Sequence, residues 1–325
     1  MAELRCVGEI EVVLFPRELI DSIFDSWWNP RLRRGNGIEL KEDDLEDRIY
    51  MVFYQRIQAG EFELPGMPDI ALRIARAVES PDSSSDDLAR IITVDPALAA
   101  RLIRTANSPA FGGESHITHC RDAVTRLGHD NTRNLVTSFV LKHLFSTDQQ
   151  LIRQRMQRLW LHSRRVAAIC HVLARQSGDL VGDQAILTGL IHDIGAIPIL
   201  MAATEYPELL ENGAKLDQLV QGLKGEVGAL ILRHWNFPQS YVDCVLHCND
   251  WFRDSSKSID YTDLVILAQL LSHIGTPRMA RLPSPDLLPA FHKLAAGNPD
   301  PLFSLNVLDQ ASAEIKAVEQ LLEGN

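Results

Sequence analysis

The sequence predicts an all-α protein, a multi-helix bundle preceded by a short mixed α/β extension. Three observations carry this. Apolar residues recur at helical spacing through most of the chain beyond "ELPGMPD". Ala, Leu and Ile are abundant while aromatics make up 6 %, a balance that leans towards helices. Pro, Gly, Ser and Asp stand where helices need starts and stops. With 325 residues, the chain can bury a sizeable core, as one large domain or two ordinary ones.

Residues 1–56 form an extension of different character. "EIEVVLF", Glu9 to Phe15, is a short β-prone run. "SWWNPRLRRGNG" sets Trp27 and Trp28 beside a proline, a basic cluster (Arg31, Arg33, Arg34) and two glycines. The tryptophans read as a lid on the chain's own core, with a partner anchor as the alternative. The arginines read as solvated surface near Glu42, Asp43 and Asp44. "ELKEDDLEDRIYMVFYQRI" is a helix with an acidic first turn, which suits the helix dipole.

From "ELPGMPD" onward the elements follow as helices. "IALRIARAV" offers a stripe of Ile70, Ile74, Ala77 and Val78. "SPDSSSDDLARII" is a loop leading into a Ser/Asp cap. In "DPALAARLIRTANS", Asp95 caps, Pro96 takes the first position, Leu98, Ala99, Leu102, Ile103 and Ala106 face inward, and Asn107 stops the helix in a left-handed conformation. Ser108 caps the following turn. Gly128 separates two further helices, with Asp130 as a cap. "LWLHSRRVAAICHVLARQSGDL" is a long amphipathic helix carrying His162, and "DQAILTGLIHDIGAIP" carries His192 and Asp193 and falters at Gly195 and Pro198. Two more helical stretches end near residue 275. Residues 281–325 form a Pro-rich C-terminal segment with a last helix stopping on Gly324.

The net charge of −11 and pI near 5.5 argue against a nucleic-acid surface and, more weakly, against anionic membranes. No apolar run reaches the roughly 18 residues of a membrane span, and the N-terminus lacks a signal peptide's basic start and long apolar stretch. The expectation is a soluble cytoplasmic protein. Five cysteines, an odd number with no CxxC pair, fit a reducing compartment. Cys244 and Cys248, four apart with His247 nearby, want a fourth ligand for zinc, so buried thiols are the preferred reading.

The segments "ELPGMPDIALRIARAV", "IITVDPALAARLIRTANSPAFG", "DAVTRLG" and "GLIHDIG" resemble the HDOD domain, a bacterial relative of the HD and HD-GYP phosphohydrolases. The likeness covers roughly residues 57–275, and a domain from 57 to 280 is expected, with the bundle of the HD type. The resemblance implies a regulatory output module of bacterial signal transduction, acting through an unidentified protein partner. The alternative it implies is a metal-dependent phosphohydrolase acting on a nucleotide or cyclic dinucleotide. Such chemistry needs cations that acidify a water and absorb developing charge, held by imidazoles and carboxylates converging from several helices.

Transferred to this chain, the expected ligands are His162, thirty positions before His192, then His192 and Asp193. A later Asp is expected where Gln269 stands, and Asp263, about 240° around that helix, points elsewhere. Lys224 stands where the HD-GYP branch has a His, and His247 is followed by Cys248 where a second His is usual. The three candidates therefore read as vestigial: no catalytic residue and no resident metal is expected, with Fe, Mn, Zn or Ni held there if the alternative applies. As a structural pair, His192 and Asp193 would want His162 or a backbone carbonyl, since an unpaired buried polar group costs about 1–3 kcal/mol. Asp95, Pro96, Asn107 and Ser108 read as structural punctuation. A vacated pocket that binds a small ligand without cleaving it is a third reading.

Overall fold

The structure, a computed structural model, describes residues 52, 55–56, 64–109, 111, 115–295 and 311–323. The predicted strand at Glu9–Phe15, the two tryptophans and the Arg31–Arg34 cluster lie outside them. The chain divides into two units, Met1–Gly60 and Glu61–Asn325. Among the described residues no strand forms, and the second unit is a bundle of helices, as the periodicity predicts.

The first half runs α1 (Asp69–Glu79), α2 (Ser85–Thr93), α3 (Pro96–Ala106), α4 (Cys120–Leu127) and α5 (His129–Leu141). Each begins on a local signal. Ser84 and Asp87 form a reciprocal capping box at α2. Asp95 Oδ1 accepts from the amides of Ala97 and Leu98 at 2.9 and 3.1 Å, and Pro96 sits at the first position of α3, where a missing N–H leaves nothing unpaired. Leu98, Ala99, Leu102 and Ala106 are buried, while Ile103 is only half-buried.

Three expectations need correcting here. Asn107 is right-handed (φ −95°). Its amide instead spans a loop, donating to Ile117 O at 2.7 Å and accepting from Ile117 N at 2.8 Å. Ser108 Oγ donates backwards to Thr105 O rather than capping the next turn. Asp130 lies inside the first turn of α5, whose N-cap is Gly128 at φ 82°.

The second half is built around α6 (Gln150–Ser177), a 28-residue helix. Against it pack α7 (Gly182–Ile191), α12 (Tyr261–Ser272) and α14 (Ser312–Glu323). Between them come α8 (Ala196–Ala202), α9 (Pro207–Glu211), α10 (Gly213–His234) and α11 (Gln239–His247), and α13 (Pro289–Ala295) lies on α12. The C-terminal residues thus continue the same bundle. The end of α14 is held by cations from three other places. Arg101 donates to Leu321 O at 2.7 Å, Lys142 to Glu323 O at 2.7 Å, and Arg164 pairs with the Glu323 carboxylate, a favourable use of positive charge at a helix C-terminus.

Every residue from Ala185 to Leu200 is buried. The expectation that no apolar run reaches membrane-span length is corrected here. Gly182–Glu205 is long and apolar enough, but 89 % of that window is buried among other helices, so it serves as the core. The run also breaks sooner than expected. Residues 192–195 form a turn tightened by Ile194 N→Ile191 O and Ala196 N→Asp193 O, both 2.9 Å, and Pro198 already belongs to the first turn of α8. Two glycines flank the turn for steric reasons. A Cβ on Gly189 would meet Ala167 Cα of α6 at 2.7 Å, and one on Gly195 would strike the Lys224 carbonyl of α10. The motif's glycines therefore let the turn sit tightly between α6 and α10. Gly195→Ala is expected to destabilise the fold by about 1–3 kcal/mol, the usual cost of overpacking, read as a lowered urea midpoint at unchanged slope.

Candidate functional site

The turn at 192–195 delivers Asp193 to the floor of a cleft of about 390 Å³, with His192 fully buried beside it. The long helix α6 adds Arg155, Arg158 and His162 on one face, α10 adds Asp217 and Lys224, and α12 with its C-cap adds Gln269 and His273. Asn249, Trp251 and Arg278 close the mouth. His162, His192 and Asp193 do converge: one ligand-type atom from each lies within 4.8 Å of the others. The His162 and His192 rings meet edge-on at 5.2 Å, and His162 and His273 stack at 5.6 Å.

His192 is fully buried, and its Nδ1 lies 2.7 Å from Gly189 O. That carbonyl accepts only, so Nδ1 carries the proton and Nε2 presents a lone pair to the cluster. Nε2 has no hydrogen-bond partner among the described residues and stands 3.5 Å from Asp193 Oδ2. Two acceptors side by side call for a positive charge between or beside them. Lys224 supplies it: its Nζ lies 2.7 Å from Asp193 Oδ1, with both side chains almost wholly buried. The sequence reading placed Lys224 only where the HD-GYP branch has a His and missed it as the partner of Asp193.

The charges follow from this geometry. Burial alone would raise the Asp193 pKa, but His192, Lys224 and His162 outweigh it and hold the carboxyl below its usual range. Burial pushes His192 down. Burial, helped by neighbouring His192, pushes His162 down to about 3. The site is therefore one ammonium, one carboxylate and neutral imidazoles.

A resident metal fits this arrangement poorly. The carboxylate is already engaged by an ammonium, and a dication beside Lys224 would be repelled. Gln269 reaches the site, as expected, but its Nε2 donates to Cys248 O at 2.7 Å. Asp263 does point elsewhere, forming a capping box with Asp260 and lying 3.2 Å from both Arg253 and Lys293. Among the described residues no other carboxylate joins the cluster. His247 is exposed, and Cys120, Cys170, Cys244 and Cys248 are buried free thiols. Sequence reasoning also missed Arg155, Arg158, His273 and Arg278. The signal was present, because Arg155 and Arg158 lie seven and four residues before His162 on a helix already recognised.

A helical bundle with a His-Asp pair at a helix break, facing a His from a neighbouring helix, is the architecture of HD-type domains. The chain belongs to the HDOD domain family, which matches residues 64–251. It is similar to an uncharacterized protein of Treponema pallidum (strain Nichols), 30 % identical over 198 residues, or 56 % of this chain; the chain spans 37 % of that relative's length. Two solved structures share the fold. One, from Shewanella amazonensis SB2B, is provisionally described as a metal-dependent phosphohydrolase (TM-score 0.64, 25 % identity, 78 % of this chain and 98 % of that one). The other is an HDOD domain protein of unknown function from Geobacter sulfurreducens (TM-score 0.62, 26 % identity, 85 % and 99 %).

Two predictions follow from the charge arrangement. Lys224→Met strands the buried Asp193 carboxylate and is expected to cost about 3–5 kcal/mol, whereas Lys224→Met with Asp193→Leu recovers most of the loss; chemical denaturation of both variants measures it. The second concerns pH. His162 and His192 have folded pKa values below the ordinary 6.5, so unfolding takes up protons below that pH. Stability is expected to fall as pH drops below about 6.5, continuing towards about 3 for His162. Asp193, depressed in the fold, adds its loss only in the acid range, as pH falls from its unfolded value through its folded one. Urea midpoints against pH should show a shallower acid limb in His162→Leu.

Proposed function

We propose that this HDOD protein is a regulatory module of bacterial signal transduction that acts by binding, with a protein partner as its output, and not by metal-dependent hydrolysis. A cytoplasmic location belongs to the same proposal. The observation that carries it is the 2.7 Å contact between Lys224 Nζ and Asp193 Oδ1. It supplies from within the chain the positive charge that a hydrolase of this fold takes from a metal ion. A buried pair of this kind resists opening, because removing one partner leaves the other charged and desolvated. Gln269 contributes an amide where a metal needs an anion.

A second reading has support of its own. The convergence of His162, His192 and Asp193 within 4.8 Å favours a single metal ion, Fe, Mn, Zn or Ni, held by those three side chains and water. The similarity to the Shewanella protein points the same way. In that case the bound ion would acidify a water, while His162, His192 and Asp193 orient it.

Metal content and turnover separate the two. The purified protein is expected to carry far less than one Fe, Mn, Zn or Ni per chain and to hydrolyse no phosphodiester with or without added Mn²⁺. Lys224→His combined with Gln269→Asp is expected to raise metal occupancy. Stoichiometric metal in the unaltered protein, with turnover abolished by Asp193→Asn, would establish the hydrolase instead.

A further inference from the structure

The cleft above the His-Asp cluster differs in charge from the rest of the molecule. The chain carries a net charge of −11, yet this cleft is lined by Arg155, Arg158, Lys224 and Arg278 against Asp193 and Asp217. Both carboxylates are already engaged, Asp193 by Lys224 and Asp217 by Arg155. Two guanidiniums, Arg158 and Arg278, remain with no ion-pair partner among the described residues. Both are exposed at the rim, above a floor of stacked, neutral imidazoles from His162 and His273.

We infer that this cleft binds a phosphate-bearing small molecule with a planar ring, a nucleoside monophosphate being the simplest of that class. The inference rests on the reading that Lys224, and not a metal ion, closes the floor. Three features match the ligand. A phosphomonoester carries close to two negative charges at neutral pH, the number of guanidiniums left over. Guanidiniums bind phosphate oxygens in pairs, which gives orientation as well as attraction. Trp251, half-buried in the lining, offers a flat face to a base, and the Asn249 amide beside it offers both a donor and an acceptor. The volume of about 390 Å³ lies within the range of small-molecule sites. No bond is made or broken; the module senses the ligand by holding it.

Isothermal titration of the full chain with inorganic phosphate and with the four ribonucleoside 5′-monophosphates tests this, in EDTA and again with Mn²⁺. At least one nucleotide is expected to bind in EDTA and to be recovered intact, more tightly than inorganic phosphate. Arg158→Gln and Arg278→Gln, both surface changes, are each expected to weaken it by about 10- to 100-fold. Trp251→Ala should weaken the nucleotide and leave phosphate unchanged. Equal affinities for phosphate and nucleotides would overturn the planar-ring assignment, and affinities indifferent to both arginine changes would overturn the site. Absence of binding under both conditions would overturn this inference and leave the metal-free reading standing. Binding that appears only with Mn²⁺ would overturn the metal-free reading itself.

Discussion

The ion pair between Lys224 and Asp193 is the contact on which the site's character depends. Without a cation, the Asp193 carboxylate and the bare Nε2 of His192 would face each other in a buried pocket with nothing to offset them. Several separate features of the fold deliver the ammonium there. The helical run breaks at 192–195, which turns Asp193 towards α10. Gly195 lacks the side chain that would keep the Lys224 backbone away. The ammonium helps keep the carboxylate ionised, while burial keeps the imidazoles neutral.

Much of the fold was legible because local chemistry states it. Asp95-Pro96 and Ser84 through Asp87 mark helix starts by side-chain hydrogen bonds that depend on a few neighbouring residues. Where local rules failed, a distant partner had intervened. Asn107 has the residue type of a left-handed stop, yet a loop ten residues away supplies both halves of an amide pair and holds it right-handed. The length test for apolar runs missed Gly182–Glu205 for a different reason: His192 and Asp193 look like interruptions in sequence, whereas in the fold they are buried in the same core.

The candidate site was legible by half. Spacing and resemblance placed His162, His192, Asp193 and Gln269 around one point, and the structure brings them there. They gave no indication that Lys224 reaches back to Asp193, because that contact joins α10 to the turn after α7 and exists only once the helices pack. The same holds for the cleft. Arg278 lies beyond α12 and joins Arg155 and Arg158 only in three dimensions. A pattern that reads as a damaged metal centre in one dimension becomes, when folded, a neutralised floor beneath a cationic rim. It is on this arrangement that the proposed binding role rests.

A crystal structure grown with Mn²⁺, with anomalous scattering data, tests the central claim most directly. The account predicts Lys224 Nζ within hydrogen-bonding distance of Asp193 and no anomalous peak between His162, His192 and Asp193. A strong peak about 2.0–2.2 Å from all three side chains, with the lysine swung out of the pocket, would contradict it.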